Sequence, residues 1–181
     1  MSLLLSCDIK YVANKNDTNE KLKNLADLQI LDCRHNKNFT DEGLKYLTNL
    51  QQLMCWTNTN FTDEGLSYLT NLQKLDCCTN TNFTDTGLSY LTNLNVLSCS
   101  DNVNFTDNGL YYINKLQILD CGINDNFTDN GIKHLTNLQI LYCGSGSHGV
   151  IGRNGLVFIG SGRNITNKGL KHITNLKIIR Y

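Results

Sequence analysis

Cysteine recurs every 22 residues, at Cys33, Cys55, Cys77, Cys99, Cys121 and Cys143. A fixed period of this length makes each unit one supersecondary element that buries its apolar face only against its neighbours. The chain is therefore expected to be a stack of like units. Its eight Cys are read as a repeat column, not as a disulfide framework. A length of 181 residues suits one domain, residues 1–181, with a sizeable core.

One unit reads LTNLQQLMCWTNTNFTDEGLSY, residues 47–68, and its like follow at 69–90 and 91–112. The alternation L-x-x-L-x-C predicts a short strand whose Leu53 and Cys55 face a core. Asn follows three residues after each Cys, at Asn36, Asn58, Asn80, Asn102 and Asn124, and Asn14 is placed in the same slot. An amide there satisfies backbone groups where the chain bends away from the strand, so stacked units predict an amide ladder. Phe39, Phe61, Phe83, Phe105 and Phe127 predict an apolar spine. The Thr after each Phe is placed to cap a short helix, as Thr62 does before Asp63-Glu64-Gly65-Leu66. Asp41, Asp63, Asp85, Asp107 and Asp129 then suit the positive helix start better than a calcium site. Gly43, Gly65, Gly87, Gly109 and Gly131 cost helix propensity, which points to close approach between neighbouring turns.

Charge is balanced, with 16 basic and 16 acidic residues. That removes the broad electrostatic argument for nucleic acid or an anionic membrane as partner. No apolar run approaches the ~18–20 residues of a spanning helix. The start, MSLLLSCDIK, has no basic n-region and makes a poor signal peptide. Asn-x-Thr sequons begin at Asn16, Asn38, Asn60, Asn82, Asn104, Asn126 and Asn164. They would invite glycans at packed positions in a eukaryotic secretory pathway. Free thiols and unmodified sequons together predict a reducing, cytoplasmic setting.

The phrases L-x-x-L-x-C-x-x-N and F-T-D-x-G-L-x-x-L cover nearly the whole chain and resemble those of leucine-rich repeat proteins. LTNL and the 22-residue period are similar to bacterial internalin-type repeats. TDxGL and the core Cys are similar to the cysteine-containing repeats of F-box substrate receptors. The resemblance implies an α/β solenoid, with a curved parallel β-sheet on the concave side and short helices on the convex side. It also implies recognition of proteins or peptides on the concave face.

Subtracting the period from Leu31 and Cys33 places Ile9 and Tyr11 in the first strand's core slots. At the other end Ile165-Thr166 restarts the helix phrase, and Ile179 and Tyr181 fall in strand core slots. The register thus predicts an uncapped terminal strand, as expected of a fragment or of an end that another chain covers.

One stretch departs from the period. Five residues separate Cys121 from Phe127, but 21 separate Cys143 from Ile165, an excess of 16 that fits residues 146–161. GVIGR and LVFI flank Asn154-Gly155, a favoured two-residue hairpin turn, between Gly/Ser spacers. One reading is an inserted hairpin or peptide with engineered-looking linkers. The other is an aberrant short repeat, because Val157 and Ile159 lie in register with a repeat strand.

No chemistry-bearing constellation emerges. The Cys column is read as stacked small hydrophobes. His35, His134, His148 and His172 show no zinc spacing, and no nucleophile has an assignable base and orienting acid. No catalytic, cofactor-binding or metal site is expected, and the chain is read as non-enzymatic. The varied positions are those of the concave face. Candidate partner-binding residues are Asp32, Arg34, His35, Met54, Trp56, Lys74, Asp76, Asp101, Asp120 and Tyr142. Trp56, the sole Trp, is placed in an exposed slot beside Met54 and Arg34, where Trp and Arg resemble interface anchors. Cys78 is also placed there, with nothing evident to activate it. The hairpin would present Val150, Ile151, Arg153, Asn154, Gly155, Leu156 and Phe158.

The leading expectation is a protein- or peptide-binding module. The alternatives are a structural or display scaffold for residues 148–159, and a substrate-receptor fragment of a ubiquitin ligase. Self-association through the terminal strand or the hairpin is a further expectation.

Overall fold

The computed structural model describes residues 9–122, 124–143, 158–159 and 164–175, with backbone alone at 158–159 and 167. Its strands are β1 (Lys10–Val12), β2 (Ile30–Asp32), β3 (Gln52–Met54), β4 (Lys74–Asp76), β5 (Val96–Ser98), β6 (Ile118–Gly122), β7 (Ile140–Cys143) and β8 (Phe158–Ile159). They form one open sheet in sequence order, every pair parallel. Among the described residues seven short helices are α1 (Asn19–Leu22), α2 (Asp41–Leu44), α3 (Asp63–Ser67), α4 (Asp85–Ser89), α5 (Asp107–Leu110), α6 (Asp129–Ile132) and α7 (Asn167–Leu170). Helices pack against helices of neighbouring units, as strands do against strands.

Strand alternation puts Leu31, Leu53, Leu75, Leu97, Leu119 and Leu141 in one fully buried row and the Cys column beside it. The Phe spine is fully buried, as are the helix leucines Leu44, Leu66 and Leu88. Each such side chain contributes about 1.5–3 kcal/mol by leaving water, and only because a neighbouring unit covers it. Burial pushes the Cys55, Cys77, Cys99 and Cys121 thiols well above their ordinary range. Cys143 is pushed up to about 11 for the same reason. The thiols also serve as donors across the sheet: Cys33 Sγ lies 3.4 Å from the Met54 carbonyl and Cys121 Sγ 3.3 Å from that of Tyr142.

The amide ladder is present, and its bonds explain why the residue is Asn. Asn80 Nδ2 donates to the carbonyls of Asn58 (2.9 Å) and Phe61 (3.4 Å) in the previous unit. Its Oδ1 accepts from Asn82 N at 2.8 Å. Only a side chain with two donors and an acceptor does this at one buried point. The sequon residues form a second ladder, as where Asn60 Nδ2 donates to the Lys37 carbonyl at 2.6 Å.

The helix-start aspartates join units as well as suiting their own helices. Asp41 Oδ1 accepts from Thr62 N (3.0 Å) and Asp41 Oδ2 from Thr62 Oγ1 (2.6 Å), one unit onward. The same pair of bonds links Asp63 to Thr84, Asp85 to Thr106 and Asp107 to Thr128. Thr62 Oγ1 in turn caps its own helix by accepting from Glu64 N at 3.3 Å. The recurring Gly is required by this bridge, because a Cβ at Gly65 would lie 2.2 Å from Asp41 Oδ1.

Two places depart from a uniform period. In the first unit the register is two residues off the projection, because Tyr11, not Ile9, pairs with Leu31. Ala13 takes the Cys slot, its N donating to the Asp32 carbonyl as Cys33 N does to that of Met54. Asn14 still lies one period before Asn36, whose Nδ2 donates to its carbonyl at 2.7 Å. The positions of Arg34 and His35 therefore have no counterpart between Ala13 and Asn14, and β1 is shifted by that contraction.

The second place is the 16-residue excess. The helical layer runs on across it: Asn164 Nδ2 donates to the Asp125 carbonyl, and Thr166 bridges to Asp129 at 2.6 Å through both N and Oγ1. The sheet gains β8 there, with Tyr142 opposite Phe158 and Cys143 opposite Ile159. Residues 144–157 and 160–163 lie outside the described residues, and so do Val150, Ile151, Arg153, Asn154, Gly155 and Leu156 of the expected hairpin. Ile179 and Tyr181 lie outside them too.

Candidate functional site

The outward side of the sheet collects the side chains that the core and ladders do not use. Its central column runs Val12, Asp32, Met54, Asp76, Ser98, Asp120 and Tyr142. Asp32 is buried, and its carboxylate grips Arg34 in a two-toothed pair, Oδ1 to Nε at 2.8 Å and Oδ2 to Nη2 at 2.7 Å. That guanidinium, held by two bonds, keeps the Asp32 carboxyl below its ordinary range. It also sits over the next side chain in the column, with Arg34 Cζ 5.6 Å from the Trp56 ring centroid. Trp56 is thus half-buried beneath an arginine, not freely exposed, and its Nε1–H is enclosed with no acceptor among the described residues.

No family model and no curated protein sequence matches the chain. Solved structures do. Internalin C2 from Listeria monocytogenes aligns over 94% of this chain and 79% of its own, at 23% identity and a TM-score of 0.68. A chain in the yeast Rad7 and Elc1 complex aligns over 92% of this chain at 20% identity, with a TM-score of 0.65. A chain of the TLR13–ssRNA13 complex aligns over 93% at 21% identity, with a TM-score of 0.63. Their agreement with the parallel sheet and its period decides the architecture. The fold is a leucine-rich repeat solenoid. The chain spans 45% of the matched yeast chain and 27% of the TLR13 chain.

Further along the solenoid's open face lies a polar chain of contacts. Cys78 Sγ lies 3.3 Å from Ser98 Oγ, and Ser100 Oγ donates to Asp120 Oδ1 at 3.1 Å. Burial pushes the Asp76 carboxyl and the Cys78 thiol above their ordinary ranges. A raised thiol is a poor nucleophile, which agrees with the absence of any activating neighbour in the sequence. Met54, Lys74, Asp76 and Asp120 are half-buried, His35 and Asp101 exposed, and Tyr142 buried. Asp101 adopts a left-handed turn (φ 64°), which a short polar side chain tolerates. Phe158 lies beside Tyr142 through β8.

The candidate residues therefore divide. Asp32, Arg34 and Trp56 form one stacked cluster, and Asp76, Cys78, Ser98, Ser100 and Asp120 form another. Ser98 and Ser100 were not among the expected site residues. His134 is exposed on the helical side, its ring 4.5 Å from that of Tyr111. Among the described residues no group of His, Cys, Asp and Glu is arranged to hold a metal ion, and no helix is long and apolar enough to cross a membrane.

Sequence reasoning also passed over the edge where the chain enters the strands. There Gln29, Gln51, Gln73 and Asn95 line an open groove of about 540 Å³ together with Asn49, Asn71 and Asn93. The signal was present in the Asn-Leu-Gln of each LTNLQ phrase.

Proposed function

We propose that the solenoid is a binding module that holds a protein or peptide on its open sheet face, with Arg34 and Trp56 as anchor. The carrying observation is the Asp32–Arg34–Trp56 stack. The ion pair fixes a guanidinium over an indole before any partner arrives, so little side-chain freedom is lost on association. Buried Trp and Arg are the side chains that most often dominate interface energetics. The stacked units supply a rigid base, since the Asn and Asp ladders bond each unit to the next. Balanced charge supports a protein partner over nucleic acid. The buried thiol column and the sequon amides, whose Nδ2 atoms are used in the ladder, support a reducing compartment without glycan transfer.

The test starts from peptides selected from a displayed library against the wild-type chain. Trp56→Ala should weaken the selected peptides by ten-fold or more, about 2 kcal/mol, while Tyr112→Ala on the helical side leaves them unchanged. Peptides bound equally by wild type and Trp56→Ala would reject the anchor. Selection that yields only binders lost by Tyr112→Ala would move the site to the helical side.

A further inference from the structure

We infer that the groove at the strand-entry edge is a second binding site, and that its ligand is a neutral, extended polysaccharide. The groove shares no residue with the open-face columns, so the two readings stand or fall separately. Its floor is built by the repeat. Gln51 N donates to the Gln29 carbonyl and Gln73 N to the Gln51 carbonyl, both at 2.8 Å, and Asn95 N continues the row to Gln73. These bonds lock the row at the inter-strand spacing of about 4.8 Å. Beside it, Asn71 Nδ2 donates to the Thr48 carbonyl at 3.0 Å and Asn49 Nδ2 to that of Ala26 at 3.3 Å, which leaves each Oδ1 as an acceptor. The side chains of Gln29, Gln51, Gln73 and Asn95 make no hydrogen bond among the described residues. The Gln29, Gln51, Gln73 and Asn95 row thus presents unused donors and acceptors; the described lining also holds Asp27 and Lys115, whose Nζ donates to Asn93 Oδ1 at 2.8 Å.

The lining selects the ligand class. An amide offers both donors and acceptors, as does each sugar hydroxyl, so the two satisfy one another in either sense. A mostly uncharged row gives no grip on phosphates or on a polycation. Among the described residues Ile9 is the sole apolar one in the lining, so they form no pockets for peptide side chains. The spacing argues the same way. An extended peptide repeats a face every ~6.8 Å, out of step with the groove. A polyproline II chain repeats every ~9.3 Å and does match two units, but proline has no N–H, so such a chain answers only the donors of the row and leaves its acceptors unpaired. One pyranose ring of an extended β-1,4 glycan advances by close to one unit; alternate rings are turned over, but each carries hydroxyls on both edges, so successive rings meet successive amides.

The experiment titrates the full chain, with Gln and Asn side-chain amides labelled by 15N, with cellopentaose, maltopentaose and a decaproline peptide. Cellopentaose should shift the side-chain amides of Gln29, Gln51 and Gln73, and coiled maltopentaose should not. Gln51→Ala/Gln73→Ala, whose side chains make no hydrogen bond among the described residues and which is checked for an unchanged melting curve, should weaken cellopentaose at least ten-fold. Absence of any shift, equal shifts from maltopentaose, or unchanged affinity in the double variant would each overturn the proposal. Shifts from decaproline alone would replace the glycan by a polypeptide and overturn it too.

Discussion

Each invariant residue of the unit serves the neighbouring unit as much as its own. The Asn column shows this and was legible in the sequence, because a lone amide repeated at a bend has few other uses. The Asp column was legible only in part. Cap logic reads a helix from within, and it assigned Asp41 to the start of α2. The bonds that fix it run to Thr62, in the next unit, and nothing in one unit's local sequence reveals such a partner. The bridge sets a testable coupling between Gly65 and Asp41. Gly65→Ala would place Cβ 2.2 Å from Asp41 Oδ1. Moving the carboxylate away gives up two charge-assisted bonds, while a helical Ala returns ~1 kcal/mol of propensity. The expected result is a net loss of about 2 kcal/mol. In an Asp41→Ala background the carboxylate is gone and only Leu44 Cδ1, 2.9 Å from the new Cβ, still has to shift, so the same change should cost clearly less than in wild type. Urea unfolding of the four-member cycle measures both. A destabilisation as large in the Asp41→Ala background as in wild type would show that the carboxylate is not what demands Gly.

At the scale of the element, a strand's side-chain alternation was legible and its register was mostly so. Constant-period arithmetic failed at β1 because the chain drops two positions between Ala13 and Asn14, a contraction hidden where the Asn slot keeps its phase. Trp56 was misjudged for a related reason. Position alone put it on the open face, but its exposure depends on Arg34 in the turn after β2 and on Asp32, which holds that arginine. The stack also gives β2 a pH dependence. Because Arg34 lowers the Asp32 carboxyl in the folded state, the ionised carboxylate stabilises the fold above its unfolded pKa of about 3.9. That contribution is lost as pH falls through the depressed folded value. Asp32→Asn should therefore cost about 1–2 kcal/mol at neutral pH, with Arg34 part-exposed at 38% of its side chain. The gap between wild type and variant should narrow as pH falls below about 4. Chemical denaturation at pH 7 and in acid checks this, and a gap that stays constant into strong acid would assign the loss to packing.

For the whole molecule, stability is approximately a sum over units and the contacts between them, so a departure from the period matters by what it does to each layer. The helical layer treats the 16-residue excess as a loop. Asn164 reaches Asp125 across 39 positions, where regular units span 23, as Asn126 to Val103 does, and the difference is that excess. The sheet instead takes up Phe158–Ile159 as a strand beside β7. The sequence exposed the excess and its size but left its role open, since a hairpin and a strand rung are written in the same alternating residues. Deleting residues 146–161 brings Ile179 to 22 positions after Leu141, the spacing of Leu119 to Leu141. The helix contacts α6 to α7 need no change. We expect the shortened chain to fold with a single cooperative transition and a melting temperature no lower than that of the parent. Among the described residues the cost is confined to the β7–β8 pairing, and the connection is shorter by 16 residues, which favours folding slightly. Thermal and urea unfolding followed by circular dichroism decide it. A broadened, multi-step transition in the shortened chain would mean that the units beyond Cys143 depend on the excess residues for their stacking.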